Sequence, residues 1–140
     1  MRRSLLALTP LYARLALGAA FLNGIASRFG LYGPHTGYGN FANFEKYTAQ
    51  VNSFMPASTI PFLAWSATVL EFVLGVLLVI GVWRRWVALA TAGLLILFGV
   101  AMAISFGPIE PLDYSVFSAS AAALFLANSS PTPNRREARS

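Results

Sequence analysis

Three features of this sequence predict an all-α chain: an antiparallel four-helix transmembrane bundle with a short amphipathic helix in the first extracytoplasmic loop. First, the chain is 56% hydrophobic and only 11% charged, against about 25% charged in an ordinary soluble domain. Second, two long apolar runs, Ile60–Val82 and Trp86–Phe106, carry a single charge between them, Glu71. Each run reaches the ~20 residues a helix needs to cross a bilayer. Third, the arginines fall in groups that share one side of a membrane crossed four times.

The elements follow in chain order. Residues 1–9 read as a cytoplasmic N-terminus holding Arg2 and Arg3. The first span is predicted over about 10–29. Pro10 suits its first turn, where a missing N–H costs nothing. Arg14 inside this stretch, and the lack of a small-x-small cleavage site before Arg28, argue against a removable secretory signal. The second span covers 60–82 and the third 86–106. Between them lies "WRRW", Trp83 to Trp86. So short a turn makes the two spans antiparallel neighbours, with the tryptophans as headgroup anchors.

The fourth span is predicted over 112–128. Its centre, "SVFSASAAALFLA", is rich in small residues, which let helices approach closely. Residues 129–140 are Pro- and Ser-rich and charged, and read as a disordered cytoplasmic tail. The membrane domain is then a single unit over 10–128. With four spans, Arg2 and Arg3, Arg84 and Arg85, and Arg135, Arg136 and Arg139 all lie on one side. The positive-inside rule makes that side the cytoplasm, for both termini of a multi-pass inner-membrane protein.

The long connection Gly30–Thr59 then lies outside. Its glycine-rich start, "GLYGPHTGYG", neither follows a strand nor opens a GK[ST] helix, so it is no phosphate-binding loop. Phe41, Phe44, Tyr47, Val51 and Phe54 recur at helical spacing and predict an interfacial helix over Phe41–Phe54. The outer mouth gathers His35, Glu110 and Asp113. The histidine reads as a solvated loop residue, and the two acids as solvated or paired with Arg28 or Lys46.

No cysteine is present, and one histidine, so disulfides, thiolate chemistry and a multi-histidine metal or haem site are excluded within this chain. No metal site and no intrinsic cofactor are expected. The net charge of +5 comes from basic residues flanking spans, so nucleic acid is not a predicted partner; the lipid bilayer is.

Glu71 is the residue that needs a partner. A charge at mid-bilayer costs about 2.5–3.5 kcal/mol, and such residues face the bundle interior. On span one, Arg14, Gly18, Phe21 and Arg28 share one face at 100° per residue, while Asn23 points away. Side chains lean toward their helix N-terminus, so Glu71 and Arg28 lean toward each other. Arg14 leans toward cytoplasmic headgroups. A backbone depth difference of ~14 Å leaves the contact direct, or bridged by water, Asn23 or a polar ligand. An intramembrane polar pocket of Glu71, Arg28, Arg14 and Asn23 is therefore expected. Gly18, Gly24, Gly75 and Gly81 are expected at helix-packing positions. Two readings stand: a structural ion pair, or a pocket open to the outer leaflet in which Glu71 binds a polar headgroup or carries a proton for a quinone.

These residues also carry a resemblance. "RLALGAAFLNGIASRFG" and "LEFVLGVLLVIGVWRRWVAL" resemble the DoxX family of small four-helix bacterial membrane proteins. The first motif falls on Arg14, Gly18, Phe21, Leu22, Gly24 and Arg28. The second falls on Glu71, Gly75, Gly81, Arg84 and Arg85. The resemblance covers about residues 10–127. It implies the four-helix fold and the membrane setting, and suggests redox work near quinone. The family is named for a subunit associated with thiosulfate:quinone oxidation, and related members are partners in membrane oxidoreductase complexes for thiol and oxidative stress.

The expected function is an accessory or lipid- or quinone-binding subunit of a membrane redox assembly, alongside a partner membrane or redox subunit. The alternative is the membrane component of a quinone-dependent oxidoreductase, such as thiosulfate:quinone oxidoreductase. Without cysteines or a metal ligand set, either role needs a bound quinone or a partner for electron transfer. A small-solute carrier ranks last, because no paired broken helices support alternating access.

Overall fold

The computed structural model describes residues 2–129. Among them the chain is helical, with no strand. The elements are α1 (Arg2–Arg28), α2 (Phe41–Val51), a 3₁₀ turn (Ala57–Thr59), α3 (Ile60–Ile80), α4 (Arg84–Phe106), α5 (Ile109–Asp113) and α6 (Val116–Ser129). Residues 130–140, most of the expected disordered tail, lie outside the described residues; Ser129 closes α6.

Four boundaries correct the sequence reading. The first helix starts at Arg2, not near Pro10, so residues 2–9 belong to it and Pro10 lies inside. Leu5, Leu6, Ala7 and Leu8 are strong helix formers. They carry the helix across a proline that removes one hydrogen bond. Helix α3 stops at Ile80, two residues early. Gly81 caps it with φ 85° and donates its N–H to the Leu77 carbonyl at 2.8 Å. Arg84 and Arg85 open α4 instead of forming the turn, which is only Gly81–Trp83, with Trp83 at φ 44°. The fourth predicted span is two helices. Ser115, at φ 55°, breaks it, and its carbonyl accepts the first bond of α6, from Ala119 at 2.9 Å. Serine favours such a helix start. Helix α6 has 14 residues, or ~21 Å at 1.5 Å per residue.

Helices α1 and α3 run antiparallel with a regular register. A Cβ on Gly18 would meet Val79, one on Gly75 would meet Phe21 and Leu22, and one on Gly24 would meet Glu71. The Gly18 and Gly75 contacts fall at 2.8–3.3 Å, so only glycine lets these backbones approach so closely. Helix α4 packs chiefly on α6 through small residues: Ala88, Thr91, Ala92, Ser120, Ala123 and Ala127 are all buried.

The two helix pairs meet at the end of the α3–α4 turn. There Leu17, Phe21, Leu74 and Leu78 join Val87, Ala88, Ala92, Leu126 and Ala127 in one core. At the other end the pairs enclose a cavity that α2 roofs. Outward, α3 presents Phe62, Val69, Phe72 and Ile80, and α4 presents Leu97 and Ile104. Two stretches, Ala57–Ile80 and Arg84–Phe106, are long and apolar enough to cross a membrane.

Candidate functional site

Arg28 is the last residue of α1. A cation there complements the negative end of the helix dipole. Its Nη2 donates to Glu71 Oε1 at 2.6 Å and to Glu71 Oε2 at 2.7 Å. One nitrogen straddles the carboxylate, which frees Nη1 to donate to Thr68 Oγ1 at 3.1 Å. Thr68 in turn donates to the Ala64 carbonyl at 2.8 Å. Thr68 precedes Glu71 by three residues and so shares its helix face. The guanidinium also lies over the Phe44 ring, 3.8 Å from its centroid, a cation–π contact worth about 2 kcal/mol when desolvated. Arg28 is 5% exposed, and Glu71 and Thr68 are each 4% exposed. This is the only ion pair among the described residues.

The pair meets directly because α1 ends low. Arg28 sits opposite Thr68, two turns below the start of α3, not at the outer headgroup level that the ~14 Å depth difference assumed. Residues 29–40 and α2 occupy the layer above. Backbone bonds from Gly30 N–H to Ser27 at 3.2 Å and Leu31 N–H to Ala26 at 3.0 Å fold the chain back. Gly37, at φ 63°, lies against Ser27 so closely that a Cβ would collide with its hydroxyl. Ser27 Oγ then accepts the Tyr38 N–H at 2.9 Å. The glycine-rich loop thus places Tyr38 over the end of α1.

Helix α2 starts at Asn40, whose side chain accepts the Asn43 N–H at 2.9 Å. It buries Phe44, Thr48 and Val51. It ends at Val51, not at Phe54, which lies beyond and is 52% exposed. Asn52 ends it by donating to the Thr48 carbonyl from both its N–H and its side chain. Ser105 on α4 donates to the Val51 carbonyl at 2.5 Å and ties this end down. An aromatic run fixes the other side: Phe41 against Trp65 at 4.4 Å and Phe29 at 5.8 Å, and Tyr38 against Phe44 at 5.1 Å and Tyr47 at 5.6 Å.

Under this roof lies a cavity of about 470 Å³. Its walls are largely apolar, with Arg28, Glu71, Tyr38, Tyr47 and Thr48 at the roofed end. Leu70 of α3 and Leu97 of α4 line it while being 49% and 64% exposed, which marks a side opening between those helices. Burial pushes the Tyr38 phenol above its usual pKa, a rise that Arg28 opposes and that Glu71 and Tyr114 strengthen. Burial also raises Tyr47, with Tyr38, Tyr114 and Glu110 adding to it. Both phenols therefore stay protonated donors.

Two members of the expected polar pocket lie elsewhere. Asn23 is exposed and accepts the Tyr32 hydroxyl at 2.9 Å, because five residues of helix turn it about 140° from Arg28. Arg14 lies fourteen residues back, ~21 Å down the axis, where its guanidinium occupies the space a Cβ on Gly81 would need. There it meets the C-terminal end of α3. Gly81 is accordingly a helix cap, and a Cβ on Gly24 would lie 3.4 Å from Glu71 Oε2. Of the expected mouth, His35 and Asp113 are exposed and Glu110 is half-buried. Neither acid pairs with Arg28 or Lys46. Among the described residues no three of His, Asp and Glu gather as a metal site.

Sequence reasoning missed Thr68, Tyr38 and Ser27. Thr68 carried a signal, its position one turn from Glu71 on the same face. Tyr38 carried none, because the fold-back of its loop is set by tertiary contacts.

No curated protein and no solved structure matches the chain. A family model does: the one described as DoxX matches residues 9–104. The matched stretch runs from within α1 to near the end of α4, with Arg28, Glu71, the α2 roof, one membrane-length stretch whole and nearly all of the other. The chain belongs to the DoxX family.

Proposed function

We propose that this chain is a four-span protein of the bacterial cytoplasmic membrane, with both termini cytoplasmic. In that membrane it holds a lipid or quinone as an accessory subunit of a redox assembly. The observation that carries this reading is the cavity of about 470 Å³. It is apolar along its length, polar at one end, and open sideways past Leu70 and Leu97. A ligand that partitions into a bilayer would enter between α3 and α4 without crossing water. Its tail would lie along Leu94, Leu95 and Phe98, and its head would sit under α2. Helices α1 and α6 complete the four crossings, with α1 bringing Arg28 to the roof.

The roles of the residues follow. The Arg28–Glu71 pair holds α1 to α3 at the roofed end of the cavity and cancels charge there. Helix α2 excludes water from the head of the ligand. Electron transfer falls to a partner or to the ligand itself.

Mass spectrometry of lipids and quinones retained by the purified protein tests this reading. Stoichiometric retention by the parent protein is expected, with loss in Ala67→Trp, whose indole fills the cavity. Equal retention by both would contradict it.

A further inference from the structure

We infer that the cavity selects an uncharged amphiphile, one whose carbonyl or hydroxyl oxygen takes hydrogen bonds from the phenols of Tyr38 and Tyr47. This rests on the ligand-binding reading above and narrows its chemistry.

The argument starts from which polar groups are free. The only cation lining the cavity among the described residues is Arg28, and Glu71 neutralises it. Nη2 holds both Glu71 oxygens, Nη1 holds Thr68, the guanidinium plane lies on Phe44, and Nε is buried with no hydrogen-bond partner among the described residues. The pair is neutral as a unit, so an anionic head gains no net attraction from it. Such a head would still lose its hydration, a cost that only a well-formed ion pair offsets. Glu110, which raises the Tyr47 pKa, adds negative potential near the same end. A cationic head fares no better, since both Glu71 oxygens are taken and the carboxylate is buried.

The neutral groups are different. Thr48 donates to the Phe44 carbonyl and Asn52 to the Thr48 carbonyl. Four lining residues, Ser66, Tyr114, Tyr38 and Tyr47, have hydroxyls that make no hydrogen bond among the described residues; of these, Tyr38 and Tyr47 lie together at the roofed end. Their rings lie 5.6 Å apart. Tyr38 is locked through its backbone by Ser27 and Asn43, and Tyr47 packs on Phe106 at 6.3 Å. Two fixed phenols at the polar end of an apolar cavity suit a head group that accepts hydrogen bonds and carries no charge. An isoprenoid-type quinone and a diacylglycerol share that chemistry.

Equilibrium binding in a neutral detergent distinguishes the cases. The probes are a decyl-benzoquinone, dioctanoylglycerol and dioctanoylphosphatidylglycerol. At least one neutral probe is expected to bind about tenfold or more tighter than the phosphatidylglycerol; the tighter of the two identifies the source. The double variant Tyr38→Phe/Tyr47→Phe keeps the ring contacts and should keep its melting temperature. It should bind the neutral probe about tenfold more weakly, as the loss of hydrogen bonds to both phenols requires. Tighter binding of phosphatidylglycerol, or unchanged binding in the double variant, would overturn this inference while leaving the ligand-binding reading intact. Failure of all three probes to bind would overturn both.

Discussion

Arg28 closes α1 by donating from one nitrogen to both oxygens of Glu71 on α3, at 2.6 and 2.7 Å, with neither residue more than 5% exposed. Removing the carboxylate leaves a buried guanidinium with only Thr68 and Phe44 as partners. Glu71→Leu is expected to destabilise the protein by about 3–5 kcal/mol. Glu71→Gln keeps the shape and one acceptor and should cost less than half as much. Thermal unfolding in detergent measures both; equal losses would mean that the retained acceptor contributes nothing beyond the charge.

The other two contacts of Arg28 have smaller, separable costs. Thr68→Val removes the Nη1 acceptor at 3.1 Å and should cost about 1–3 kcal/mol. Phe44→Leu removes the ring under the guanidinium and should cost about 2 kcal/mol or more. Unfolding of the two single variants reads these values directly.

The α1–α3 contact depends on bare backbone. A side chain at Gly18 would begin 2.8 Å from Val79 and 3.0 Å from the Gly75 carbonyl. Gly18→Leu should therefore cost about 1–3 kcal/mol. Gly93→Ala on α4 meets nothing within 4 Å and should stabilise by about 0.5–1 kcal/mol through helix propensity. Unchanged stability in Gly18→Leu would show that the register described for α1 and α3 is wrong.

Much of this was legible in the sequence. Glu71 alone in an apolar run demanded a cation, and side-chain lean singled out Arg28 over Arg14. The apolar runs located α3 and α4 within two residues at each end. The roof was not legible in the same way. The aromatic spacing announced α2 but not its stop at Val51, which depends on Asn52 capping and Ser105 reaching across from α4. The end of α1 lies within one residue of the expected one, but the depth of Arg28 depends on how α1 is set against α3. That setting, like the fold-back of residues 29–40 against Ser27, is a tertiary contact with no periodic signature. Ser115 broke the fourth helix through a left-handed backbone that serine adopts only rarely.

The proposed topology puts the termini and the Gly81–Trp83 turn in the cytoplasm. Reporter fusions at each end should be active only as cytoplasmic reporters. A C-terminal fusion active in the periplasm would remove one crossing and contradict the four-span account.

The pairing of Arg28 with Glu71 is the contact on which the cavity, its neutrality and the α1–α3 register all depend. A double-mutant cycle measures it most directly. Arg28→Met and Glu71→Leu are each expected to lose about 3–5 kcal/mol, because each strands a buried charge. The double variant, with no charge left to strand, should lose no more than either single variant, giving a coupling energy of about 3 kcal/mol or more. Losses that simply add, with coupling below about 0.5 kcal/mol, would mean the two side chains do not act on each other and would contradict the account.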